Sequence, residues 1–116
     1  MHFSMTLFEK IANHEIPATI LHEDAEIVAF RDINPQAPTH VIIIPRKPIS
    51  SVNNLTPNDA ELIGKLVLVA RKLAQDLGIA ASGYRLVFNC GPDGGQTVDH
   101  LHLHLLGGRA MGWPPG

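Results

Sequence analysis

The chain has a single cysteine, Cys90, in 116 residues. An intrachain disulfide is impossible, and nothing points to an oxidising, secreted setting. Charge is scarce: 17% of residues are Asp, Glu, Lys or Arg, and the formal net charge is −2. Such a chain offers no basic face to a nucleic-acid backbone, although backbone N–H groups and a few histidines suffice to hold a single nucleotide. Long hydrophobic runs are missing too. Runs such as Val-Ile-Ile-Ile at residues 41–44 are far too short to span a membrane. The first residues lack the basic start and apolar stretch of a signal peptide. Internal repeats and linkers are also absent. These absences predict one domain over residues 1–116, soluble and cytoplasmic, with neither membrane nor nucleic acid as partner.

What is present reads as an α+β fold. Residues 6–14 place Leu7, Phe8, Ile11 and Ala12 at helical spacing, and Thr6 with Glu9 resembles a capping box, so a short helix is expected there, ended by Pro17. Residues 18–22 and 26–30 are rich in apolar residues and separated by Glu23, Asp24 and Ala25, which predicts a hairpin. Pro35 and Pro38 stiffen the connector that follows. Residues 39–44 are β-branched and apolar, as in a central strand. Thr56 and Pro57 open a long helix in which Leu62, Leu66, Val69, Leu73 and Leu77 form one stripe, and Gly78 stops it. Residues 84–89 and 100–106 read as two more strands, and Gly107-Gly108 breaks the second. The sum is an antiparallel sheet of about five strands, one face covered by the long helix.

The last of those strands reads His100-Leu101-His102-Leu103-His104-Leu105-Leu106. Successive side chains of a strand point to opposite faces, so the three imidazoles share one face and the three alternate leucines the other. Imidazole acts as nucleophile, acid or base near neutral pH. Neighbouring histidines at this spacing have Cα atoms about 6.6 Å apart, and the outer pair about 13 Å. Two could reach one zinc ion, but three on a straight strand converge poorly. His40 is available as a further ligand, yet no Cys or Glu cluster accompanies it, so no metal or cofactor is assigned. A merely solvated face would be served as well by Lys, Thr or Glu. A third reading is a site for a phosphorylated ligand, in which one imidazole attacks phosphorus and its neighbours donate to the phosphoryl oxygens. The preceding loop fits that reading. Gly94-Gly95 lets backbone N–H groups approach an anion, and Asn89, Gln96 and Thr97 add neutral donors. The loop lacks the Lys-Ser/Thr ending of a P-loop.

The seven-residue pattern, with apolar residues between and after the histidines, resembles the signature of the histidine triad family of nucleotide hydrolases and transferases. Phe8-Glu9-Lys10-Ile11, Glu15-Ile16-Pro17-Ala18, the run from Phe30-Arg31-Asp32-Ile33-Asn34-Pro35 to Gln36-Ala37-Pro38-Thr39-His40, Asp93-Gly94-Gly95-Gln96 and Trp113-Pro114-Pro115-Gly116 are similar to the Hint branch, the histidine triad nucleotide-binding proteins. The resemblance implies a homodimer whose two five-stranded sheets join. It also implies hydrolysis of purine nucleoside 5′-phosphoramidates to the nucleoside monophosphate and an amine, with nucleotide binding and little turnover as the alternative. It makes His102 the nucleophile and puts His104 on the phosphoryl oxygens, with His100 and His40 behind the nucleophile holding its ring. Asp32 would take the ribose hydroxyls. Ile33, Phe8, Ile11 and Phe30 would form the base slot, and Asn89, Gly95, Gln96 and Thr97 would line the phosphate. Cys90 reads as a small filler, and His2, His14 and His22 as surface residues. Because His102 must be neutral to attack, turnover is expected to fall below about pH 6.

Overall fold

The structure, a computed structural model, describes residues 5–116; the surface reading of His2 lies outside them. The elements in chain order are α1 (Leu7–Ala12), β1 (Ile20–Glu23), β2 (Ile27–Arg31), β3 (Thr39–Pro45), α2 (Ala60–Asp76), β4 (Tyr84–Phe88) and β5 (Leu103–Gly107). The five strands make one antiparallel sheet, as the sequence predicts, and their order is β1-β2-β3-β5-β4.

The α1 helix starts where expected. Thr6 Oγ1 accepts the Glu9 N–H at 3.1 Å while the Glu9 carboxylate accepts the Thr6 N–H at 3.4 Å. It ends earlier than Pro17 would dictate. His14 takes φ 60°, its N–H donates to Ile11 O, and the Glu15 N–H donates to Lys10 O at 2.8 Å. A left-handed residue that recovers two orphaned carbonyls closes the helix without a proline. Six residues do not make a stable isolated helix. Burial of Phe8, Ile11 and Ala12 holds it, together with Arg46, which donates to Ala12 O, Asp24 O and Glu23 Oε1 at 2.9–3.0 Å.

The long helix also begins with its predicted cap, Thr56 paired with Asp59, but its first turn (Pro57–Asp59) is 3-10 and the α-helix proper starts at Ala60. Gly78, at φ 76°, terminates it. Leu66, Ala70, Leu73 and Ala74 are buried against Ile27, Ala29, Val41, Ile43, Leu101, Leu103 and Leu105 on the sheet; Leu62, Val69 and Leu77 complete the stripe, half-buried. The opposite face carries a second cluster: Phe8, Ile11 and Ala12 of α1 on Val28, Phe30, Ile42 and Ile44. With both faces covered, β3 is an almost continuous apolar run. Its alternation puts Val41 and Ile43 under α2, and His40, Ile42 and Ile44 on the α1 side.

Candidate active site

The imidazoles stand on the α1 face, but not on one paired strand. Pairing of β5 begins at Leu103, so His100 and His102 precede it and only His104 lies within the ladder, opposite Ile42. The alternation nevertheless runs on beyond the pairing, because Leu101, Leu103 and Leu105 all lie in the α2-side core. What stops the ladder is competition for the backbone: the Leu101 N–H donates to Ile49 O at 2.7 Å.

Partners fix the tautomers. Nδ1 of His102 lies 2.6 Å from the carbonyl oxygen of His100. A carbonyl only accepts, so Nδ1 carries the proton and neutral His102 keeps its lone pair on Nε2. In His100, Nε2–H donates to Pro45 O at 2.7 Å. In His40, Nδ1 accepts the Gln36 backbone N–H at 3.1 Å, so Nε2 carries the proton and donates to His104 Nδ1 at 2.9 Å. This leaves His104 with its N–H on Nε2. The His102 and His104 rings meet edge to face at 4.9 Å, and the Phe8 ring meets the other side of His102 at 4.8 Å. The expected support for the nucleophile is therefore divided. His100 holds His102 through its backbone carbonyl, whereas His40 braces His104. Sequence periodicity cannot see this, since the His40–His104 pair spans 64 positions.

Burial keeps these rings neutral. It pushes the pKa of His102 below the usual imidazole value, against the pull of its bond to His100 O. Burial, then the neighbouring His102 and His40, takes His104 down to about 4. His40 is lowered by burial, with Asp32 opposing.

Asp32 divides its oxygens. Oδ1 accepts the Asn34 N–H at 2.8 Å, and Oδ2 lies 3.6 Å from His40 Nε2. Beside it Leu7, Phe8, Ile11, Ile16, Pro17, Ala18, Phe30 and Ile33 enclose a cavity of about 100 Å³. All four residues expected to form an apolar slot line it, and Ile33 is 91% exposed at its rim. Leu7, Ile16, Pro17 and Ala18 were not foreseen. The signal available was the break after α1, which returns the chain past Phe30 into β1.

The glycine loop behaves differently from its expected role. The Gly95 N–H donates to Pro92 O and the Gln96 N–H to Gly91 O. The Gln96 side chain donates to Ser50 O at 2.7 Å and Val98 O at 3.0 Å, and accepts the Gly91 N–H at 3.0 Å. These donors brace the loop. A Cβ on Gly94 would lie 2.3 Å from Cys90 O, so close backbone packing accounts for that glycine. Asn89, half-buried after β4, and Thr97, exposed, follow the expected chain path. Cys90 is half-buried, as a filler would be.

Asp32, His40 and His104 each place one metal-ligand atom within 4.8 Å of the others. The tautomers argue against a resident ion there, because His40 Nε2 holds a proton while Nδ1 accepts the Gln36 N–H. Moreover, its 2.9 Å approach to His104 Nδ1 is shorter than the roughly 3.3 Å that separates two ligands bound at about 2.0–2.1 Å to a tetrahedral ion.

A family model for the HIT domain matches residues 13–111. The chain belongs to the HIT family. This HIT protein is 54% identical over 111 residues to an uncharacterized HIT-like protein of Synechocystis sp., covering 96% of each chain. It is 49% identical over 115 residues to a 14 kDa zinc-binding protein of Zea mays, covering 97% of this chain and 89% of that one. Its fold superimposes with a TM-score of 0.93 on a HIT family hydrolase from Legionella pneumophila, at 58% identity over 95% of this chain and 98% of the other. A histidine triad protein from Clostridium difficile gives 0.91 at 38% identity, over 97% of both. These likenesses support nucleotide binding or hydrolysis in general terms.

Proposed function

We propose that this HIT protein is a Hint-branch phosphoramidase that hydrolyses purine nucleoside 5′-phosphoramidates. The observation that carries the reading is the His102 tautomer: Nδ1–H is spent on His100 O, so the Nε2 lone pair is free beside His104. His102 Nε2 attacks the α-phosphorus. The Nε2–P bond forms as the P–N bond to the amine breaks, His104 Nε2–H donates a hydrogen bond to a phosphoryl oxygen, and the departing amine takes its proton from water. Water then cleaves the nucleotidyl-histidine to the monophosphate and restores the neutral ring. Phe8, Ile11, Phe30 and Ile33 receive the base, and Asp32 the ribose hydroxyls, for which its Oδ1 turn bond is exchanged. Asn89 and Thr97 face the phosphate, while Gly95 and Gln96 support it as loop braces. The half-buried open edge of β4 suits the homodimer that the resemblance implies; sedimentation as a monomer at micromolar concentration would contradict it.

The test is release of AMP from adenosine 5′-phosphoramidate in the presence of chelator. Turnover that survives chelation and drops by at least about a thousandfold in His102→Ala is expected, as for loss of a covalent nucleophile. Binding of AMP without turnover would instead make this a nucleotide-binding protein. The name of the maize relative suggests zinc as a second reading, and the protonated Nε2 of His40 weighs against it.

A further inference from the structure

Among the described residues one buried side-chain polar atom lacks a hydrogen-bond partner, and it is Nδ1 of His100. The residue is 1% exposed, and an orphaned buried nitrogen is costly to keep. The nearest acid is Glu9, whose Oε1 lies 3.9 Å away. That is too long for a hydrogen bond, but a charge at this range behind a buried ring is only weakly screened. Glu9 follows Phe8, whose ring packs on His102, so one turn of α1 faces two of the three triad histidines.

The helix does not require this charge. The bonds from Thr6 to the Glu9 carboxylate are long, 3.3 and 3.4 Å, and glutamine serves the same capping position. The chemistry does have a use for it. When His102 Nε2 bonds to phosphorus its ring becomes cationic, and Nδ1–H still points at His100 O. The groups packed directly on that ring, Phe8 and His104, are neutral. Asp32 lies on the other side, against His40.

Building on the reading of His102 as nucleophile, we propose that Glu9 is a positioning residue. Its carboxylate stands behind the His100 ring, facing the Nδ1 lone pair, and offsets the positive charge of the nucleotidyl-histidine through His100. The same turn of α1 thus seals the nucleophile with Phe8 and balances its charge with Glu9.

Three variants of the full chain test this with adenosine 5′-phosphoramidate as substrate. Glu9→Gln keeps the capping box and removes the charge. Its kcat is expected to drop about 5- to 30-fold, the size of a one- to two-kcal/mol effect, with KM within about twofold. Glu9→Asp is expected to recover part of that loss. Thr6→Ala keeps the charge and weakens the cap, so its melting temperature falls while kcat stays within about twofold. In ¹⁵N-histidine spectra the His100 ring resonances should move in Glu9→Gln and not in Thr6→Ala. The proposal is overturned by wild-type kcat and unmoved His100 resonances in Glu9→Gln, or by Thr6→Ala being equally slow, which would reduce Glu9 to a helix cap. If the wild-type protein does not turn over the phosphoramidate, the phosphoramidase reading fails. The spectra still decide whether Glu9 acts on His100: movement in Glu9→Gln alone supports the contact, and its absence refutes it.

Discussion

Each imidazole of the site has one nitrogen tied to a fixed partner, and three of the four partners are backbone groups: His100 O, Pro45 O and the Gln36 N–H. The fourth, His40, passes its setting on to His104. The ring states are therefore built into the fold before substrate arrives, which avoids reorganisation at the moment of reaction. The pH response follows. The attacking form of His102 is neutral, and burial lowers its pKa, so the ring stays competent below the range where a free imidazole protonates. The acid limb of kcat/KM should consequently lie below the pH of about 6 expected from the sequence alone. Rates at pH 6 and 7.5 should agree within about twofold, with the fall at lower pH. A limb at 6 to 6.5 would mean that the rings are hydrated in solution.

At the level of elements, helices and a loop hold the histidines by contacts distant in sequence. The loop after β4 hangs on Gln96, whose side chain makes three bonds to the backbone of Ser50, Val98 and Gly91. Gln96→Ala should cost about 1–3 kcal/mol in denaturant unfolding and lower turnover more than it lowers the affinity for AMP. A stability change under about 0.5 kcal/mol would show that the brace is dispensable. Much of this architecture is legible in the chain. The caps Thr6 and Thr56, the stop at Gly78, the apolar run of β3 and the alternating leucines each state a local preference that packing then honours. The apolar slot is legible only through resemblance, since Phe8, Ile11 and Phe30 are indistinguishable from core by pattern. Three features escape local reading. His14 ends α1 in a conformation that histidine seldom adopts. Gln96 looks like an anion donor until its long-range acceptor, Ser50 O, is known. The brace between His40 and His104 depends on strand order, which no window of sequence contains.

The whole molecule feels the same burial as a dependence of stability on acid. Unfolded histidines titrate near 6.5, while folded His40, His102 and His104 titrate lower, His104 near 4. Between those values the unfolded chain binds more protons, so its free energy drops relative to the native state as pH falls. Stability from this source is whole above about pH 6.5 and is lost progressively toward pH 4. Urea midpoints measured from pH 7.5 to 4.5 should decline through that window, and His104→Asn should flatten part of the decline. An unchanged slope in that variant would place the acid sensitivity elsewhere. Glu23, held below the usual carboxylate range by His14 and Arg46, and Asp59, held there by Lys47, add their losses only at lower pH. The sheet itself divides labour by parity. Along β5 and its approach, odd-numbered leucines serve the core under α2 and even-numbered histidines serve the site. The two inventories are interleaved letter by letter yet separated by the thickness of a sheet. Point substitutions can thus act on the site face or the core face one at a time, whereas deleting a single residue between His100 and His104 would press imidazoles toward the core and leucines toward the substrate. This segment is open to evolution by substitution and closed to it by change of length.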